Sequence, residues 1–158
     1  MKVRLPLIIS ENRLILSSFV SCDRLRIRKQ YVEFVVDTGS PYSFISYGDA
    51  LKFQIPLSQY TKSEALQFGG STYNRVQLPH LDLYVFKEGW KAAEELSEEY
   101  LLRMNIEINA LKTTKKGKEK ERLAQMMPSI IGMDFLEKHK MGLFVNPSEK
   151  IAYLEMDV

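Results

Sequence analysis

The segment EFVVDTGSPYSFIS, residues 33–46, constrains this chain more than any other. Three consecutive apolar residues, Phe34, Val35 and Val36, lead straight into an acid, Asp37. A run without polar alternation marks a strand covered on both faces. Thr38, Gly39 and Ser40 follow, and a second semi-apolar run reaches Phe44 and Ile45. The chain must therefore carry a carboxylate out of a buried strand into a tight turn and then return inside. Keeping that carboxylate charged is costly unless hydrogen bonds hold it. Gly39 admits a close backbone approach, so its N–H can point at the carboxylate. Ser40 offers a hydroxyl donor, and Thr38 can turn its hydroxyl towards another backbone. The arrangement suits an acid held in place to act on water or a substrate. Phosphoryl-transfer aspartates are a rival, but their loops carry a second acid two residues on or a lysine between Asp and Thr. Neither occurs here, and there is no glycine-rich phosphate loop.

The rest of the chain has strand character at both ends. Residues 3–9 and 14–20 read as strands, and residues 25–36 as strand, turn and strand, with Arg28, Lys29 and Gln30 as the turn. Residues 47–53 suit a short helix ending near Pro56. Residues 64–86 read as one hairpin turning at GGSTYN, with Pro79 marking an edge or bulge. Residues 87–127 differ in character. Trp90, Ala93, Leu96, Tyr100 and Leu101 have helical spacing, and the charged run KTTKKGKEKER has the composition of an exposed loop. After Pro128, Ile130-Ile131-Gly132 reads as a short buried strand and residues 133–140 as a helix. Residues 141–145 and 151–156 then form a terminal hairpin. The expectation is one mostly β domain over 1–158, with short helices and an inserted helical, charged segment at 87–127.

Composition narrows the function. With 22 basic and 20 acidic residues the net charge is +2, which argues against a dedicated nucleic-acid or membrane-surface protein. No apolar run approaches the ~20 residues that span a bilayer. The apolar stretch after Lys2 and Arg4 stops at Ser10 without a small-residue cleavage site, so no signal peptide is expected. Cys22 is the single cysteine and fits a reducing, cytoplasmic setting. His80 and His139 have no cysteine or carboxylate cluster at ligand spacing, so neither a metal nor another cofactor is expected. His80 reads as a solvent-facing strand residue. His139 reads as a last-turn helix residue, where a cation is mildly favoured.

The pair FVVDTGSPYSFIS and SIIGMDFLEKHKMGLFVNPSEKIAYLE resembles the retropepsin-like aspartic proteases, nearer the cellular and bacterial single-domain members than the retroviral ones. The match spans residues 14–86 and 128–156, with 87–127 unmatched. The resemblance implies a closed β-barrel acid-protease domain and an endopeptidase acting on peptide or protein substrates. It implies a catalytic turn of Asp37, Thr38, Gly39 and Ser40, with Ser40 supporting the ionisation of Asp37. It also implies a substrate-covering flap of Phe68, Gly69, Gly70, Ser71, Thr72 and Tyr73. One departure stands out. Where retroviral members often have an acid and an arginine as a pair, this chain has Pro41 and Met133, which leaves no orphan charge and suggests an apolar contact.

Aspartic proteolysis needs two carboxylates sharing one proton, because two charges about 3 Å apart cannot both stay ionised. The chain holds one Asp-Thr-Gly, and Asp134 reads as a helix-start acid favoured by the macrodipole. A two-fold homodimer supplies the second Asp37, with Thr38 bonding across the axis as the resemblance implies. The terminal strands have unpaired edges that can enter a dimer sheet. Two other readings remain open at this stage: a dimeric binding module with weak or no proteolysis, and a nucleic-acid-associated protein acting through Lys112–Arg122. Against the latter, Glu119 and Glu121 interrupt the run and no aromatics interleave.

Overall fold

A computed structural model describes residues 1–89 and 100–158. Its elements, in chain order, are β1 (Lys2–Pro6), β2 (Ile8–Ser10), β3 (Arg13–Cys22), β4 (Ile27–Val36), β5 (Phe44–Ile45), α1 (Tyr47–Lys52), β6 (Lys62–Phe68), β7 (Ser71–Gln77), β8 (Leu81–Phe86), β9 (Leu101–Ile106), β10 (Asn109–Thr113), α2 (Gly117–Met126), β11 (Ser129–Ile131), α3 (Met133–Lys138), β12 (Gly142–Asn146) and β13 (Ile151–Asp157). The fold is mostly β, as the sequence led us to expect. No helix among the described residues is long and apolar enough to cross a membrane.

Ten strands form the main sheet in the order β6-β7-β10-β5-β11-β4-β3-β8-β9, with β2 added on β3. The sheet is open, and the expected closed barrel is corrected. Its ends, β6 and β9, do not pair. β6 carries Lys62, Ser63, Glu64 and Gln67 exposed, a polar edge that does not recruit a further strand. The inner end of β4 is covered on both faces, as its apolar run implied. Phe34 and Val36 join the main core with Ile45 and Ile131. Val35 packs on the other side against a smaller cluster of Phe44, Tyr73, Leu111, Met127 and Ile130.

Several boundaries differ from the sequence reading. The turn before β4 lies at Asp23–Arg26, closed by the Arg26 N–H on the Asp23 carbonyl at 3.1 Å, and residues 28–30 belong to the strand. The region 64–86 is a β6–β7 hairpin followed by a separate strand, β8, which pairs with β3 and β9. The helical segment expected at 87–127 is corrected over its described part. Residues 101–106 and 109–113 are strands of the main sheet, and the later part of the charged run, expected as an exposed loop, belongs to a helix over 117–126. Residues 90–99, with Trp90, Ala93 and Leu96, lie outside the described residues. Met104, Ile106, Ile108 and Ala110 are all buried, so a period of two was present in RMNIEINA and was masked by the helical spacing before it.

The chain ends form a second, three-stranded sheet, β1-β13-β12. β1 and β13 pair with each other within the chain, Lys2 opposite Asp157 and Leu5 opposite Leu154, so neither carries two free edges.

Candidate functional site

Two short strands bring the two motifs together. β11 runs parallel to β4, with Ile131 opposite Val36, and antiparallel to β5, with Ile130 opposite Phe44. The Asp37 N–H continues this pairing by donating to the Ile131 carbonyl at 2.9 Å. The Asp37 turn therefore leaves the sheet beside Gly132. Gly132 cannot carry a side chain there, because a Cβ would sit 2.5 Å from the Tyr42 carbonyl oxygen and 2.6 Å from that of Ser40.

The turn itself is compact. The Ser40 N–H donates to the Asp37 carbonyl at 3.1 Å, and the Gly39 N–H donates to the Asp37 Oδ1 at 2.9 Å, as the motif led us to expect. Ser40 behaves differently from the sequence reading. Its hydroxyl donates to the Tyr42 carbonyl at 2.7 Å, so it braces the loop and gives the carboxylate nothing. Asp37 is half-buried, while Thr38 and Gly39 are exposed. The Thr38 hydroxyl and the Asp37 Oδ2 have no partner among the described residues.

A second layer of bonds locks this loop to the start of α3. The Met133 N–H donates to the Ser40 carbonyl at 2.8 Å, and the Asp134 N–H to the Pro41 carbonyl at 3.3 Å. The carbonyls of Ser40 and Pro41 thus receive the two N–H groups that follow Gly132, and what brings Met133 beside the Pro41 loop is backbone bonding. Ser43, buried, is the junction. Its hydroxyl accepts the Gly132 N–H at 2.7 Å and donates to the Asp134 Oδ1 at 2.7 Å. Asp134 also accepts the Phe135 N–H at 2.7 Å. Sequence reasoning did not find the role of Ser43, since its partners lie 89 and 91 residues away. A parallel network ties α1 to β11. The Ser46 N–H donates to the Ser129 hydroxyl at 2.9 Å, and that hydroxyl donates to the Asp49 Oδ2 at 2.6 Å. The Asp49 N–H returns to the Ser46 Oγ at 3.1 Å, a helix cap that Ser46 and Asp49 signal by their spacing.

The expected flap is the tip of the β6–β7 hairpin. Phe68 faces Ser71 across a two-residue turn, and Gly69 and Gly70 have φ of 58° and 80°, the left-handed pair a tight hairpin demands. Nothing lies within 4 Å of a Cβ built on either glycine. The expectation that Tyr73 faces a substrate is corrected. It is 1% exposed, a member of the smaller core cluster, and burial pushes its phenol pKa up. The hairpin reaches the Asp37 loop elsewhere. The Arg75 guanidinium lies 4.5 Å above the Tyr42 ring, and Phe68 meets Phe44 edge-on at 5.4 Å.

The histidines stand apart. His80 bonds to the Asn105 Oδ1 at 2.8 Å and to the Glu107 Oε1 at 2.9 Å. His139 caps α3 with its ring 4.4 Å from that of Phe135. Burial, and secondarily Lys138, hold its pKa down, opposite to the helix-end preference for a cation.

No family model matches the chain, and no curated protein does. Among solved structures, the chain is similar to the crystal structure of a retropepsin-like aspartic protease from Rickettsia conorii, at 14% identity. The likeness covers 99% of this chain and 93% of that one, with a TM-score of 0.54. It is a likeness of fold.

Proposed function

We propose that this chain is an aspartic-type endopeptidase built as a two-fold homodimer, with one Asp37 from each copy at the axis. The observation that carries the proposal is the state of Asp37. It sits at the end of a doubly covered strand, its Oδ1 is oriented by one backbone N–H, and its Oδ2 has no partner among the described residues. Asp134, the acid of the second motif, is committed to Ser43 and Phe135. The second carboxylate therefore comes from a second copy. The exposed Thr38, with a hydroxyl free to reach a neighbouring backbone, suits that axis.

In the dimer the two carboxylates share one proton. The ionised one takes a proton from water, which attacks the scissile carbonyl, while the protonated one polarises that carbonyl's oxygen. The Gly39 N–H holds each carboxylate by its Oδ1. The glycine-tipped hairpin closes over a peptide held extended, so that main-chain bonds position it. The reaction needs no cofactor. The single, buried Cys22 fits a reducing, cytoplasmic setting.

The test compares wild type with Asp37→Asn on a peptide library from pH 4 to 7, alongside solution mass. Cleavage by a dimer, lost in Asp37→Asn, supports the proposal. Equal cleavage by both proteins, or cleavage by a strict monomer, overturns it. A stable dimer that cleaves nothing points to a binding module on the same fold.

A further inference from the structure

A cavity of about 400 Å³ opens between β10, α1 and the start of α2, away from the Asp37 turn. Five lysines line it: Lys62 from β6, Lys112 from β10, Lys115 and Lys116 from the loop that follows, and Lys120 from α2. No carboxylate is among its lining residues. Glu119 and Glu121 flank Lys120 in sequence, and neither lines the cavity; Glu119 is engaged by Arg122 at 2.6 Å, and Lys115 acts on it as a second cation. Lys62, Lys112, Lys116 and Lys120 have no ion-pair partner among the described residues. Ammonium groups from separate elements repel one another when they converge on one concavity. A fold bears that cost on its surface with ease only where the side chains can splay apart. Here Lys112 is half-buried, its position fixed by the pairing of β10 with Asn74 of β7. Lys120 is held over the Tyr47 ring at 5.8 Å.

We propose that this cavity binds a compact polyvalent phosphate anion. Lysine ammonium groups serve as point-charge partners for phosphoryl oxygens, and their convergence on one concavity selects multiple charges in a small volume. The first turn of α2, ten residues long and without a side-chain cap, opens at the same rim and adds backbone N–H donors. Asn74 and Thr113 supply neutral polar atoms to the lining, and Tyr47 a ring. An extended nucleic-acid strand suits the site less. Among the described residues the lining offers that one aromatic, itself buried, where a strand needs a series of stacking platforms.

The experiment uses the full chain and three probes: tripolyphosphate, inorganic phosphate and a single-stranded oligonucleotide. Tripolyphosphate is expected to raise the melting temperature by mass action and to bind more tightly than phosphate. Lys112→Ala combined with Lys116→Ala is expected to weaken tripolyphosphate at least about tenfold, since each removes a charge-assisted contact. Lys29→Ala combined with Lys150→Ala, far from the cavity, should leave it unchanged. Lysine acylation of the wild-type protein followed by mass spectrometry gives a readout independent of any variant. Tripolyphosphate should protect Lys62, Lys112, Lys116 and Lys120 but not Lys29 or Lys150. Absence of tripolyphosphate binding, equal weakening by both variant pairs, uniform protection of lysines, or tighter binding of the oligonucleotide than of tripolyphosphate would each overturn the proposal. None of these readouts depends on peptide cleavage.

Discussion

Asp37 and Asp134 flank the same crossing of two loops, and they are treated in opposite ways. Asp134 Oδ1 accepts a hydroxyl and a backbone N–H from its own chain, each at 2.7 Å. Asp37 accepts one N–H, from Gly39, and its turn faces outward. A carboxylate whose acceptor sites are filled internally contributes to the fold. One left with free lone pairs on a rigid mount is available for chemistry or for a partner. The difference is set by what surrounds each acid. Ser43 is placed to reach Asp134, whereas the hydroxyl beside Asp37, that of Ser40, is drawn to the Tyr42 carbonyl.

The contrast can be broken at several points. Asp37→Asn should lower peptide cleavage at least about 1,000-fold, since it removes a general acid–base group, while shifting stability by no more than about 0.5 kcal/mol. A urea titration beside the cleavage assay checks both, and a large stability loss would make Asp37 structural after all. Gly132→Ala should destabilise by about 3 kcal/mol, because its Cβ meets two carbonyl oxygens of backbone that has nowhere to move. Asp134→Ala and Ser43→Ala should each cost about 1–3 kcal/mol by stranding partly buried donors or acceptors. The double variant should cost less than their sum, which a double-mutant cycle measures. Strict additivity would mean that the two do not form one unit.

The smallest effect expected is a pH dependence on the Asp134 side, at the far end of α3. The folded pKa of His139 lies below its unfolded value of about 6.5. Between those values the unfolded chain binds more protons, so stability rises with pH. The contribution of neutral His139 is complete above about pH 6.5 and is lost as pH falls towards the folded value. Replacing His139 by Phe should flatten this slope in denaturation midpoints taken from pH 7.5 down to 5. An unchanged slope would place the effect on another group.

What the sequence revealed followed from local chemistry. The apolar run into Asp37, the glycine turn at Gly69-Gly70 and the Ile130-Ile131 strand each carry their signal within a few residues. What it hid was set at long range. Ser43 matters through Gly132 and Asp134, and β10 enters between β7 and β5 from residues that follow a helical pattern in the chain. The open sheet was equally hidden, because closure depends on whether two distant edges meet. Tyr73 was misplaced for a related reason. Its burial comes from Leu111 and Met127, which lie far along the chain.

The position of β10 bears on how the hairpin moves. β10 pairs with β7 from Gln77 as far as Tyr73 and stops there, at Thr113. Beyond it, Ser71 and Thr72 pair only with β6. The hairpin is therefore a cantilever, clamped along its base by a sheet and a buried tyrosine, with an overhang of a few residues that the Phe68 ring, edge-on to Phe44, ties back to the core. Its pivot lies at Tyr73 rather than at the sheet's edge. Amide exchange should fall off steeply from Gly70 to Val76, and the clearance available to anything beneath the tip is limited by that short overhang.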